Sequence, residues 1–493
     1  MIDNAVRLHP KVSEFLKGPK KLYIYGKEVE SVKGDTFHTI NPATGEVLAT
    51  IYEASEIDVD LAVEAASRAF EEGTWSKMSA YDRSKLMYKL ADLMERDFDV
   101  LAQLDTLDNG KSINEMVYGD LPNAIENLRY FAGWATKMMG QTIPISDSFL
   151  NYTHHEPVGV VGQIIPWNFP IQMALWKIAP ALATGCTIIL KPAEQTPLSA
   201  LYLAKLIEEA GFPKGVVNII NGFGKTAGNA LVKHPKVNKI AFTGSTPVGQ
   251  AIMKEAANTM KRVTLELGGK SPNIILPDAN LDKAIPGVFS GIMVNQGQVC
   301  CAGSRVFIPD HLYNEVVDRL VDYAKKVKLG NGLDETTEMG PLISQRQQDI
   351  VTSYINKGIN EGANLLVGGE KLEKGYFVTP TVFANVKDDM SIAKEEIFGP
   401  VVATMPYSSI DEVVRRANAS PYGLAAGLWT ENLKNAHTIS KKLKAGTVWV
   451  NCYNLTNAGV PFGGYKQSGF GREMGSYALD NYTEVKSVWV NLE

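Results

Sequence analysis

The stretch Gly185-Cys186-Thr187-Ile188-Ile189-Leu190-Lys191-Pro192-Ala193-Glu194 opens with a short apolar run and ends on charge, and a helical pattern from Pro197 to Ala210 follows it. The alternation repeats downstream. Val216-Val217-Asn218-Ile219-Ile220 reads as a second strand, with a helix to about Lys233, and Lys239-Ile240-Ala241-Phe242 as a third, with a helix from about Thr246 to Asn258. Short buried strands separated by helices imply βαβ units. Parallel neighbours need a crossover connection, and a continuous apolar strand needs cover on both faces. Val263-Thr264-Leu265-Glu266 and Asn273-Ile274-Ile275-Leu276 extend the pattern, and two further βα-like pairs follow Arg305 and Gly362. The fold class is α/β with a parallel sheet.

Upstream, Leu22-Tyr23-Ile24-Tyr25 is a strand candidate and Asn41-Pro42-Ala43-Thr44-Gly45 a turn. Apolar spacing suits amphipathic helices from Ile57 to Glu72, from Tyr81 to Asp108 and from Asp120 to Met139, while Ile143 to Tyr152 reads as extended and half-polar. The 493 residues suggest roughly two to four domains. Apolar residues at 45% and charged residues at 21% match ordinary globular usage and exclude a disordered or collagen-like chain. Lys plus Arg number 49 against 54 Asp plus Glu, a net charge of −5. That balance does not suit a nucleic-acid partner. Four cysteines exclude a disulfide scaffold and point to a reducing compartment. Met1-Ile2-Asp3-Asn4-Ala5-Val6-Arg7-Leu8 lacks the basic and apolar regions of a secretory signal, and Val490 to Glu493 carries no lipidation box. No uncharged apolar run reaches the ~18 residues of a spanning helix. The expectation is a soluble, cytoplasmic protein with no membrane partner.

Several residues could carry chemistry. Phe242-Thr243-Gly244-Ser245-Thr246-Pro247-Val248-Gly249 joins a strand to a helix, and a glycine turn at a helix N-terminus suits a phosphate. An ordinary βα turn reads the same way. Gln250 stands where a Walker A lysine must be, which excludes a phosphate-loop NTPase. Lys191 and Glu194 sit at the carboxyl end of a strand, where open α/β sheets bind ligands, yet a solvated charge pair fits equally. Glu266 follows Gly249 by 17 residues, near the offset of a ribose-binding acid. Its apolar and glycine-rich setting suits instead a desolvated general base, or a carboxylate paired with a lysine. Cys300 and Cys301 lie in the glycine-rich run Gly297 to Arg305. Adjacent cysteines are expected to point apart, so at most one should face a pocket, as nucleophile or as small buried hydrophobe. Cys186 and Cys452 read as buried hydrophobes. His154-His155 lacks clustered ligands, so no metal site is expected.

Together these pieces resemble the aldehyde dehydrogenase family. The resemblance runs from about Asn41 to Val488 and rests on seven blocks in order: Pro166-Trp167-Asn168-Phe169-Pro170, Lys191-Pro192-Ala193-Glu194, Gly244 to Gly249, Glu266-Leu267-Gly268-Gly269-Lys270, Gly297 to Arg305, Glu396-Ile397-Phe398-Gly399-Pro400 and Pro461-Phe462-Gly463-Gly464. It implies a Rossmann-like cofactor domain (1–136 and 157–267), a second α/β catalytic domain (268–475) and a small β oligomerisation element (137–156 and 476–493). It implies Cys300 as nucleophile, Glu266 as activator of the hydrolytic water and Asn168 as oxyanion donor. Trp167, Lys191, Glu194, Gly244, Ser245, Gly249, Glu396 and Phe398 would hold NAD, and Glu194 would favour NAD over NADP by repelling a 2′-phosphate. Phe169, Met173, Trp176 and Phe462 would line the channel of an apolar aldehyde, with Val294 and Val299 widening it near Cys300. The activity implied is oxidation of an aldehyde to the acid through a cysteine hemithioacetal and thioester, in a homotetramer or homodimer. A betaine-aldehyde type and a coenzyme A-acylating type are the alternatives, the second disfavoured by Glu266.

Overall fold

The computed structural model describes residues 8–493. The first seven residues, with the start of the segment 1–136 and the reading of the N-terminus, lie outside the described residues.

Two sheets carry the architecture. The eight-stranded sheet has the order Lys27–Val29, Leu22–Ile24, Val217–Ile219, Thr187–Lys191, Val160–Ile164, Lys239–Thr243, Arg262–Glu266 and Gly469–Phe470. Its five central strands are parallel, and antiparallel strands close both edges. Val160–Ile164 is a strand that the alternation from Gly185 onward does not reveal, and it makes Thr187–Lys191 the second parallel strand rather than the first. In chain order the parallel strands run 3-2-1-4-5. The order reverses between Val160–Ile164 and Lys239–Thr243, which is where a doubly wound sheet leaves a crevice for ligands.

The seven-stranded sheet has the order Asn364–Val367, Thr381–Ala384, Val401–Tyr407, Arg305–Pro309, Pro272–Ile275, Ala425–Trp429 and Thr447–Val450. All its pairs are parallel except the first. The expected βα pair after Gly362 is therefore an antiparallel strand pair. Gly368 and Gly369, at φ +84° and +85°, turn the chain back, and a Cβ on Gly368 would lie 2.0 Å from the Pro380 carbonyl oxygen. The pattern from Tyr81 to Asp108 divides into helices Ala80–Arg96 and Phe98–Asn109. Asp97 sits at the break, where its carboxylate accepts from Lys11 Nζ at 2.6 Å and Tyr202 OH at 2.7 Å.

A third sheet joins distant segments. Phe149–Pro157 pairs on one side with Thr142–Ser146 and on the other, over nine residues, with Thr483–Asn491. Helix Pro170–Thr184 is buried along its whole length. Proline at its first position and Gly185 in a left-handed C-cap bound it. A helix apolar on every side belongs in the interior, so its one lysine, Lys177, is conspicuous.

Candidate active site

A cavity of about 800 Å³ opens at the switch point and runs to the loop that carries Cys300. Trp167, Asn168 and Phe169 enter it from the turn after Val160–Ile164, and Gly244 and Ser245 from the turn after Lys239–Thr243. Helix Pro170–Thr184 adds Met173 and Trp176. Glu266, Cys300, Glu396, Phe398 and Phe462 complete the convergence from the second half of the chain. Val294 and Val299 also line it. Gly249, Lys191 and Glu194 do not. Lys191 Nζ is held by the carbonyls of Pro192 and Gly222 at 2.8 and 2.7 Å, with Glu194 at 3.9 Å. Burial pulls the Lys191 ammonium down to about 8.

The glycines explain how such distant segments meet. A Cβ on Gly268 would lie 2.1 Å from Glu396 Oε2, and one on Gly269 would lie 2.3 Å from the Cys300 carbonyl oxygen. Gly269 N–H also donates to Glu396 Oε1 at 3.0 Å. Gly297, at φ +70°, seats the cysteine loop against the Gly399 carbonyl, 2.1 Å from its would-be Cβ. Gly249 lets helix Thr246–Ala256 close on Leu267. The glycine-rich blocks are thus packing devices that bring Glu266, Cys300 and Glu396 to one wall.

Both cysteines of the pair reach this wall. The expectation that only one would do so takes alternation from strands, whereas Cys300 and Cys301 form a turn. The Cys301 thiol, then burial, holds the Cys300 thiol well above its ordinary range, and the carboxylates of Glu396 and Glu266 act in the same direction. Burial, then the charge of Glu473, pushes Glu266 well up, against the pull of Lys177 and Arg472. Glu266 Oε2 is enclosed with no hydrogen-bond partner among the described residues. A desolvated carboxylate facing a thiol is a strong base once ionised. Asn168 is held by Asn295 Nδ2, which donates to its carbonyl at 2.7 Å, and its own Nδ2 donates to Gln298 O at 2.9 Å. That bond uses one of two amide hydrogens; the other remains for a ligand.

Other residues at the site carry no motif. Lys177 and Glu473 form a buried ion pair beside Glu266. Asn109 Nδ2 donates to the Trp167 carbonyl at 2.8 Å. Glu115 accepts from Asn295 N–H with both oxygens, at 2.9 and 3.1 Å. Asn295 and Gln296 stand at φ 47° and 58°, a strained turn that needs such anchoring. Lysine in an apolar helix was a signal in the sequence for Lys177. Glu115, Asn109 and Glu473 had none.

The cavity fits a dinucleotide. Ser245 makes no side-chain cap to helix Thr246–Ala256, so the first N–H groups of that helix lack a side-chain partner beside Gly244 and Ser245. Thr243 Oγ1 is enclosed there without a partner among the described residues. Trp167 and Phe398 meet edge to face, centroids 5.2 Å apart, next to Glu396.

Comparison with known proteins agrees with this geometry. The model of the aldehyde dehydrogenase family matches residues 29–488. The Bacillus subtilis (strain 168) protein DhaS is 67% identical over 490 residues, covering 99% of both chains. The mitochondrial aldehyde dehydrogenase of Rattus norvegicus is 54% identical over 475 residues, 96% of this chain and 92% of the relative. An NAD⁺ complex of an aldehyde dehydrogenase from Bacillus cereus superposes with a TM-score of 0.98 at 61% identity, covering 99% of this chain and 100% of that one.

Proposed function

This chain belongs to the aldehyde dehydrogenase family, and from that premise we propose that Cys300, Glu266 and Asn168 carry its NAD-dependent oxidation of an aldehyde to the carboxylic acid. The observation that carries this assignment is the single cavity shared by Cys300, Glu266, Asn168 and the Gly244–Ser245 turn.

Cys300 gives up its thiol proton to solvent, and its sulfur bonds the aldehyde carbon as the carbonyl π bond opens onto oxygen. The charge that moves to oxygen is met by the free N–H of Asn168 and the backbone N–H of Cys300, each donor worth about 3–4 kcal/mol in acyl-transfer enzymes. When bound, NAD supplies the hydride acceptor that makes this step an oxidation. The helix N-terminus at Ser245 with Gly244 would hold its pyrophosphate, and Glu396 beside Trp167 and Phe398 would hold its nicotinamide ribose. The thioester left on Cys300 is then hydrolysed. Glu266 takes a proton from water, the water oxygen bonds the acyl carbon, and the C–S bond breaks to return the thiolate. A deacylating base inside the cavity favours hydrolysis over transfer to coenzyme A.

Glu194 favours NAD over NADP. Among the described residues its carboxylate has no cation nearer than Lys191 at 3.9 Å, and Lys191 is already bound to two carbonyls. The segments 1–136 and 157–267 form the cofactor domain, 268–475 the catalytic domain, and 137–156 with 476–493 the oligomerisation element. The third sheet supports the last assignment: both its outer strands are edges, and it exposes Ile143, Ile145, Val485 and Trp489. Open edges and apolar side chains call for cover by another subunit, which makes a homotetramer or homodimer the functional form. Four unpaired cysteines favour the cytoplasm.

The deciding measurement is NADH absorbance over aldehydes of graded length and charge, without coenzyme A. Cys300→Ala should abolish turnover while NAD still binds; retained turnover refutes the nucleophile. A preference for NADP in kcat/KM refutes the role of Glu194.

A further inference from the structure

Building on that reading of the site, we propose that its preferred aldehydes carry a neutral oxygen acceptor on their chain (a hydroxyl, ether or carbonyl) and that Gln172 is the residue that selects them. This replaces the plain apolar channel that Met173 and the aromatic residues suggest.

Phe169, Gln172, Met173 and Trp176 line the cavity at the spacing of one helix face. Gln172 is 6% exposed, and its amide bonds no other described residue. Four other buried amides each donate to a backbone carbonyl: Asn168 to Gln298 O, Asn109 to Trp167 O, Asn127 to Leu175 O and Gln163 to Lys177 O. Two further donors of residues lining the same cavity are enclosed without a partner among the described residues, Trp176 Nε1 and Asn454 Nδ2. Asn454 Oδ1 lies 3.6 Å from Cys301 Sγ, so this donor stands beside the nucleophile loop. Buried polar groups are nearly always bonded, and leaving one unbonded is costly. Three unbonded donors around one channel mark a place where a ligand supplies the acceptor.

The charges nearby favour a neutral acceptor. A carboxylate would meet Glu266, Glu473, Glu115 and Asp120 around the cavity against one lining cation, Arg346, and Lys177 behind them is bound to Glu473. A quaternary ammonium needs open aromatic faces. Lys111 Nζ already stands 4.0 Å from the Phe169 centroid, and Trp176 and Phe462 are turned edge to face.

Gln172→Leu and Gln172→Met should be compared with the parent enzyme, with NAD, on two matched pairs: 4-oxopentanal against 4-methylpentanal, and 3-methoxypropanal against pentanal. The oxygenated-to-alkyl ratio of kcat/KM cancels intrinsic reactivity between enzymes. We expect it to fall by about tenfold or more in both variants, with the alkyl member's kcat/KM rising. The methionine variant keeps length and flexibility, and a thermal melt of each variant shows that it is folded. An unchanged ratio in folded variants overturns the role of Gln172. A parent enzyme that prefers the alkyl members overturns the substrate class. Failure of the parent enzyme to oxidise any of the four overturns the aldehyde reading itself.

Discussion

Glu396 and Gly268 meet with no space between them: a Cβ on the glycine would lie 2.1 Å from Oε2, while Oε1 accepts the next N–H, of Gly269, at 3.0 Å. Gly268 is therefore the seat of the carboxylate assigned to the nicotinamide ribose. Gly268→Ala should push Glu396 out of place and weaken cofactor use more than aldehyde use. The expected loss is roughly ten- to hundredfold in kcat/KM for NAD, the scale of one charged hydrogen bond. NAD titration by fluorescence should show the same loss; unchanged NAD affinity would separate Glu396 from the cofactor.

The raised Glu266 and Cys300 set the pH dependence. In the proposed reaction both act deprotonated, and burial with their neighbours lifts both. Activity should therefore rise with pH from neutral into the alkaline range, the opposite of an enzyme that needs a protonated acid. Glu266→Gln should still release a first hydride equivalent while steady turnover falls, because only deacylation loses its base. Stopped-flow NADH absorbance separates the two phases. A normal steady state would remove Glu266 as the deacylating base.

The chain displays its fold where chemistry and pattern coincide. Thr187–Lys191, Lys239–Thr243 and Arg262–Glu266 are apolar runs next to functional blocks, and they were legible. Val160–Ile164, the central parallel strand, was not: it follows the half-polar hairpin strand without a helix between, so the βα alternation starts one unit late. After Gly362 a βα pair was read where two antiparallel strands stand, because the chain doubles back at Gly368 and Gly369 before the parallel pattern resumes. At the site, motifs marked most of the groups that line the cavity. The groups that hold them act from afar, Asn109 from 59 positions before Asn168, Glu115 from 180 before Asn295 and Glu473 from 207 after Glu266, and no local spacing reveals such a contact.

Glu115 is an anchor of that kind. It bonds Asn295 N–H in a turn at positive φ, and Asn295 in turn holds the Asn168 carbonyl. Burial lifts the Glu115 carboxyl to about 7. Glu115→Ala removes the acceptor and should lower kcat roughly ten- to hundredfold through misplacement of Asn168 and Cys300, with about 1–3 kcal/mol of stability lost. Glu115→Gln keeps an acceptor and should recover most of kcat. A glutamine variant as poor as alanine would show that the charge, not the bond, matters.

The third sheet can be tested by charge. Trp489 is 59% exposed and packs edge to face on Phe149 at 6.1 Å. Trp489→Glu should shift the enzyme to smaller species in light scattering, because a buried aromatic anchor typically carries about 2 kcal/mol or more of an interface. An unchanged mass would leave this sheet outside the subunit contact.

Glu473 offers the sharpest electrostatic test. Its charge raises Glu266, whereas Lys177 lowers it. Glu473→Gln removes the raising charge and frees the Lys177 ammonium, so both changes bring Glu266 down. The rise of activity should then begin at lower pH than in the parent enzyme. The same variant leaves a fully buried lysine unpaired, which should cost about 3–5 kcal/mol of stability and be visible as a lower Tm. The two readouts have separate causes, so a lower Tm with an unmoved pH profile would mean that the pair only supports the fold. A profile displaced toward alkaline pH would mean that Glu473 receives the proton from Glu266, a function that glutamine cannot perform.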